Sequence, residues 1–407
     1  MQKSHPTYLL FFFLLGLFPL MAIAIWSGVR HTSWYVNSIS RDVSADLGIP
    51  VQIGAVRHPR PMHTRFENVR IFEAGSVTDS ETTPPEPLFQ IPAIETWNRT
   101  SSASGRQIHR MNWKIPEMTL ETISLETLWR LHNHVLTWGS NGDFWKDNEF
   151  QLLVDGDTVV KTAEPIHVQN AKLRIFYGKY GPQTEIVFSI PDKTVPEGSV
   201  PLQLVLQRVQ RQKSSFILAT LKTGEAGIST RLLVSLFPSM EKMGEKSRFT
   251  GKFIVQQSFH GWSGIFNGTF QNISLETALA PHSPLNGECT LELQNARFDG
   301  SQLTAATGLL SCLNGSIQRS FLEQMLGITQ LSLRGDREKL GEVVPFDELA
   351  FGFQLQKSQL VLTGKCRQFV TSVFVTQNNE PLVCEPATPR SAISAPLFFE
   401  AIRSSQQ

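Results

Sequence analysis

Gly264-Ile-Phe-Asn-Gly-Thr-Phe-Gln-Asn-Ile-Ser-Leu275 alternates glycine and phenylalanine with residues of mixed polarity. A spacing of two puts the large apolar groups on one side of an extended chain, as in a strand with one covered face. The theme is a glycine, an alternating strand and another glycine. It recurs at Gly251-Lys-Phe-Ile-Val255, Gly287-Glu-Cys-Thr-Leu-Glu-Leu293 and Gly352-Phe-Gln-Leu355, and closes with Leu360-Val-Leu-Thr-Gly364. No fixed-period solenoid repeat is present. Short helices are expected at Thr230–Phe237, stopped by Pro238, and at Ser320–Met325.

Toward the N-terminus the strand pattern continues through Leu152–Val154, Val168–Phe176, Thr184–Ile190, Pro201–Val209 and Phe216–Leu221. A helix is expected after Ser124, with Leu125, Leu128, Leu131, His132 and Val135 near one face. Ile91–Ile94 and Trp113–Leu120 read as extended, with Pro92 and Pro116 marking edges or bends. Residues 76–87 and 98–107 read as surface loops, and Asp155-Gly156-Asp157 as a hairpin turn. Strands are expected at Val51–Ala55 and Phe66–Phe72. Before them Tyr35, Ile39, Val43 and Leu47 recur every four residues, an amphipathic helix ended by Gly48 and Pro50. Connections too short for parallel crossovers point to an antiparallel β-meander.

Farther out, Tyr8 to Trp26 is an unbroken apolar run of nineteen residues without charge, enough helix for a hydrocarbon core of roughly 30 Å. Trp26, Arg30 and His31 resemble an interfacial belt, which favours an uncleaved anchor. Ala22-Ile23-Ala24 has the form of a signal-peptidase site, so a cleaved signal peptide is the alternative. Both readings export the body. The expected division is 1–30 tail and anchor, 31–110 amphipathic helix and first strands, 111–250 a middle β region, and 251–407 a C-terminal β region.

Lys and Arg total 37 against 36 Asp and Glu, with no long basic block, which argues against a nucleic-acid partner. Charged residues make up 18% and phenylalanine numbers 27, so little charge is available to solvate a large apolar surface. Cys289, Cys312, Cys366 and Cys384 lie in the last third, outside any zinc-ligand spacing. Disulfides 289–312 and 366–384 suit an exported body; four buried thiols are the alternative. The N-x-S/T triplets at Asn98, Asn267, Asn272 and Asn314 matter only in a eukaryotic secretory route.

Catalytic signatures are not assembled. Ser239-x-x-Lys242 follows Lys222-Thr-Gly224, the reverse of the order that penicillin-binding enzymes use. Gly261-Trp-Ser-Gly264 lacks the second spacer of a nucleophile elbow. His132 and His134 point about 200° apart on a helix and cannot share a metal. No phosphate loop or dinucleotide fingerprint occurs. No enzyme activity, cofactor or metal is expected.

The anchor, the helix ending in Leu47-Gly-Ile-Pro50, Val51-Gln-Ile-Gly54 and Phe66-Glu-Asn-Val-Arg-Ile71 together resemble the start of AsmA-like proteins. Phe249-Thr-Gly251, Gly264–Leu275, Leu285–Leu293 and Phe346–Gly364 are similar to the C-terminal region of that family. The resemblance implies a single-pass inner-membrane tether. It also implies a periplasmic, groove- or taco-like β-sheet of the bridge-like lipid transfer type, serving phospholipid supply and envelope biogenesis. About 20 strands would give a groove of only ~100 Å, so carriage over part of the route, or beside envelope protein partners, is expected. The alternative is an assembly component resembling type II secretion protein N.

Alternation nominates Ile186, Phe188, Ile190, Leu202, Leu204, Leu206, Leu291, Leu293, Phe351, Phe353 and Leu355 as inward, lipid-contacting side chains. The competing reading places them in the closed core of a sandwich or barrel.

Overall fold

A computed structural model describes residues 21, 27–72, 87, 89–103, 106–120, 132–133, 135–137, 140–160, 166–191, 199–211, 214–225, 227–234, 238–258, 261–279, 283–299, 302–335, 337–369, 372–386 and 392–404. The chain forms two compact units, residues 1–191 and 192–407. Both are built mainly from β-strands, with a few short helices. Apart from Met21, the run Tyr8–Trp26 lies outside the described residues. Among the described residues no helix is long and apolar enough to cross a membrane.

The first unit begins with α1 (Ser33–Leu47), capped by Thr32 and ended by Gly48 in the left-handed conformation. The expected stripe of Tyr35, Ile39, Val43 and Leu47 packs on a core of Val51, Ile53, Val56, Val69, Ile91, Ile94, Ile115 and Val154. The helix also caps a strand edge: the backbone N–H of Val51 donates to Ser44 Oγ at 2.8 Å and that of Ile53 to Ser40 Oγ at 3.2 Å. Those donors would otherwise be left unpaired.

The strands are β1 (Val51–Gln52), β2 (Ala55–Arg60), β3 (His63–Ile71), β4 (Phe89–Ala103), β5 (Arg106–Ile115), β6 (Met118–Leu120), β7 (Asn148–Val154), β8 (Thr158–Val160), β9 (Ile166–Gly178) and β10 (Gly181–Pro191). Their pairing gives the order β1/β2, β3, β4, β5/β6, β7/β8, β9, β10.

Three expectations are corrected here. The sheet is mixed, because β5 runs parallel to β7 and β6 parallel to β8. The connection over residues 121–147 is long enough for a parallel crossover, and it carries a 3-10 helix at Ser140–Lys146. Most of the helix expected after Ser124 lies outside the described residues; His132, Asn133, Val135 and Leu136 are helical. Residues 98–107 are no loop but the tip of a hairpin, paired from Asn98↔Met111 to Ala103↔Arg106. Asp155-Gly-Asp157 is a kink between β7 and β8, both of which run along β9. Pro116 bends the neighbouring β5/β6 at the same level, where Asp155 donates its N–H to the Ile115 carbonyl at 2.9 Å. A Cβ on Gly156 would collide with the Pro116 carbonyl oxygen, so the two bends nest only with glycine at that point.

The second unit contains β11 (Ser199–Arg211), β12 (Ser214–Thr223), β13 (Ile228–Ser229), β14 (Arg248–Ser258), β15 (Gly261–Ser274), β16 (Leu285–Asp299), β17 (Gln302–Gln318), β18 (Ser332–Leu333), β19 (Val343–Gln356), β20 (Gln359–Gly364), β21 (Val373–Gln377), β22 (Glu380–Cys384) and β23 (Ile393–Ser394). The helices are α2 (Leu275–Ala278), α3 (Arg319–Thr329) and α4 (Ala395–Ser404), with 3-10 turns at Thr230–Leu233 and Pro238–Met243. The main ladder, β11-β12-β14-β15-β16-β17-β19-β20, is antiparallel throughout. It is an open sheet: among the described residues no ladder joins β11 to β20 or β23.

One glycine of the theme, Gly264, has a steric cause, and so do Gly308 and Gly315 on β17. Gly264 pairs with Phe298, Gly308 with Phe353 and Gly315 with Phe346. In each pair the ring lies over its glycine: a Cβ would fall 2.5 Å from Phe298 Cζ or 2.6 Å from Phe353 Cζ, and nearer still to Phe346 Cζ. The aromatic ring covers backbone that glycine leaves bare. Asparagines provide the second recurring device. Asn170, Asn272, Asn295 and Asn314 have φ of 52–54°, and each stands where the ladder gains a residue. Each is the left-handed residue of a β-bulge, a conformation that asparagine tolerates. Two of the N-x-S/T triplets, at Asn272 and Asn314, thus have a backbone reason.

Candidate functional site

Register pairing assembles a continuous apolar face in the second unit. One row is Phe249–Phe270–Leu291–Leu310–Phe351; a second is Gly268–Leu293–Gly308–Phe353–Leu362; a third begins Leu204–Leu221–Phe253–Phe266–Ala296. The opposite face is mixed: it carries Gln203, Lys222, Lys252 and Asn267 in one row, Thr250, Thr269, Glu292 and Leu309 in another, and Thr220, Ile254, Ile265 and Arg297 in a third. The period of two sets the phenylalanines and most leucines on the first face.

The face is not uniform. Ile273, Cys289, Cys312, Leu349 and Val375 form a buried row at one end, beside Phe321, Leu322 and Leu326 of α3. Leu355 and Leu360 are buried at the other end, where β20 meets β23 ahead of α4. Between these limits Leu291, Leu293, Leu310, Phe351, Phe353 and Leu362 are only half-buried. Alongside this strip Phe249, Phe253, Phe266, Phe270 and Phe298 form one aromatic cluster, with centroid separations from 4.2 to 6.2 Å.

Of the nominated residues, Leu291, Leu293, Phe351 and Phe353 come together in the strip. Leu355 is buried at its margin, Leu202 is buried, and Leu204 and Leu206 are half-buried on β11. Ile186, Phe188 and Ile190 are half-buried on β10 of the first unit. Ile186 pairs with Leu173, which packs with Leu136 and Trp145 in a core of its own. Leu310, Leu362 and the five clustered phenylalanines were missed. Their alternation was visible in the glycine-bounded strands, but only register shows which strands bring them together.

Cys289 and Cys312 are register partners, and Cys366 and Cys384 share a cluster with Ala350 and Val373. All four are buried free thiols. The hydrogen bond between Cys289 and Cys312 raises the pKa of the first and lowers that of the second; burial pushes Cys366 up to about 12.

Polar groups elsewhere are held structurally. Buried Glu149 on β7 accepts from Arg174 Nε at 2.7 Å and Arg110 Nε at 3.4 Å, linking the parallel pair to β9. His132 Nδ1 lies 3.5 Å from Thr184 Oγ1, while Nε2 is shut off from solvent with no partner among the described residues. Burial lowers its pKa to about 4. No group of three metal-ligating side chains occurs among the described residues. Comparison of the chain with family models, with curated proteins and with solved structures returns no match.

Proposed function

We propose that this chain is an AsmA-like, inner-membrane-anchored periplasmic protein that binds or conducts phospholipid during envelope biogenesis, as a carrier and not a catalyst. One observation carries the reading: the half-buried strip of Leu291, Leu293, Leu310, Phe351, Phe353 and Leu362, set between buried rows. A sealed core would bury these side chains as fully as it buries Cys312 and Phe270. An acyl chain on the strip would gain about 0.8 kcal/mol for each methylene buried. The open sheet supports the reading, as does the amphipathic helix after the apolar run.

The test is to purify the full chain in nonionic detergent and quantify bound phospholipid by mass spectrometry. Leu293→Gln and Leu310→Gln should lower retention with little change in melting temperature. Lipid no higher than in the detergent blank would remove the basis of the proposal. A photo-crosslinker at position 293 that captured a defined protein and no lipid would favour the assembly-component alternative.

A further inference from the structure

A cleft of about 480 Å³ in the first unit is lined by Arg30, Arg57 and Arg65, with Glu67 the single carboxylate and His58 beside it. Its volume falls within the ordinary range for small-ligand sites. Glu67 is already shared, with Arg57 Nη2 at 3.0 Å and Arg65 Nε at 3.2 Å. Glu95 meets Arg65 at 3.4 Å from outside the lining. Three guanidinium groups against one carboxylate leave this concave lining with net positive charge. His58 adds none at neutral pH: burial and the charge of Arg30 both lower its pKa. The imidazole is also held in place, 3.1 Å from Tyr35 Oη and 3.3 Å from Thr64 Oγ1.

We propose that this cleft binds a phosphate group, presented by an anionic phospholipid headgroup. Guanidinium groups recognise phosphate through paired, charge-assisted hydrogen bonds, and the cleft holds three of them, from the segment before α1, from β2 and from β3. Its lining begins at Ser27, the residue after the apolar run. If Tyr8–Trp26 spans the bilayer, the cleft lies at the depth of the lipid phosphates. Only the lipid source rests on the proposed function; phosphate binding follows from the cleft alone.

The experiment uses the full chain in dodecyl maltoside and isothermal titration with three probes: dihexanoylphosphatidylglycerol, dihexanoylphosphatidylcholine and inorganic phosphate. Saturable binding of the phosphatidylglycerol is expected, weakened about tenfold or more by Arg30→Gln or Arg57→Gln. Arg57→Lys should recover part of it, and Arg99→Gln, an exposed arginine elsewhere on β4, should leave it unchanged. Binding of phosphatidylglycerol over both other probes makes the headgroup the ligand. Binding of inorganic phosphate alone, with the same variant sensitivity, overturns the lipid source and keeps the phosphate site. No saturable binding, or binding indifferent to Arg30 and Arg57, overturns the site. Variants of the Leu293 strip should leave phosphate titrations intact, so failure of one reading is distinguishable from failure of the other.

Discussion

Acidification should destabilise the first unit through one imidazole. His132 has a pKa of about 4 when folded against 6.5 for the free side chain, because burial disfavours its charged form. Between those values the unfolded chain binds a proton that the folded chain refuses. Stability therefore rises with pH across this window and is lost as pH falls through it. One histidine with this shift costs about 2 kcal/mol between pH 7 and pH 5, and about 3 kcal/mol once both states are protonated. His58 is lowered in the same direction, so the measurement must be a difference. Urea unfolding of wild type and His132→Gln, followed by tryptophan fluorescence in nonionic detergent, isolates the contribution. Trp145 reports locally, being 2% exposed and clustered with Leu136 and Ile175. The variant should lose about 2 kcal/mol less than wild type between pH 7 and pH 5. Two profiles that fall in parallel would refute the reasoning.

Gly308→Ala should cost roughly 2–4 kcal/mol, since the new methyl meets both Phe353 and the Glu292 carbonyl; a lowered urea midpoint is the readout. Glu149→Gln should cost about 1–3 kcal/mol by weakening the link from Arg110 and Arg174, and equilibrium unfolding of the full chain checks it. The four buried thiols should resist alkylation in the reduced, folded protein at mildly alkaline pH, with all four labelling after denaturation. Mass shifts count them directly.

Much of the fold was legible because its periods are simple. The four-residue spacing of Tyr35 through Leu47 found the helix, and Gly48 found its end. Alternation located the long strands, since each has one covered face. The hairpin tip at residues 98–107 was missed because Thr100, Ser101 and Ser102 have loop-like chemistry, although their backbones complete a ladder with Gln107, Ile108 and His109. Parallel pairing was missed because no local pattern says which strand returns beside which. The cleft was illegible for a similar reason: Arg30, Arg57 and Arg65 form no motif along the chain. Leu291 and Leu293 were found in the strip, while Leu310 was not, because which alternating strands become neighbours depends on register.

The parallel pairing of β5 with β7 and of β6 with β8 has a kinetic consequence. Most neighbours in the second unit are successive strands that can zip from their turns, whereas the first unit must close residues 121–147 before these ladders gain a contact. Loop closure precedes its reward, so topology assigns the slower search to this step. Ribosomal synthesis delivers the first unit earlier. Until residues 121–147 close, the edge of β5 in this early-made part of the chain stays exposed to wrong partners.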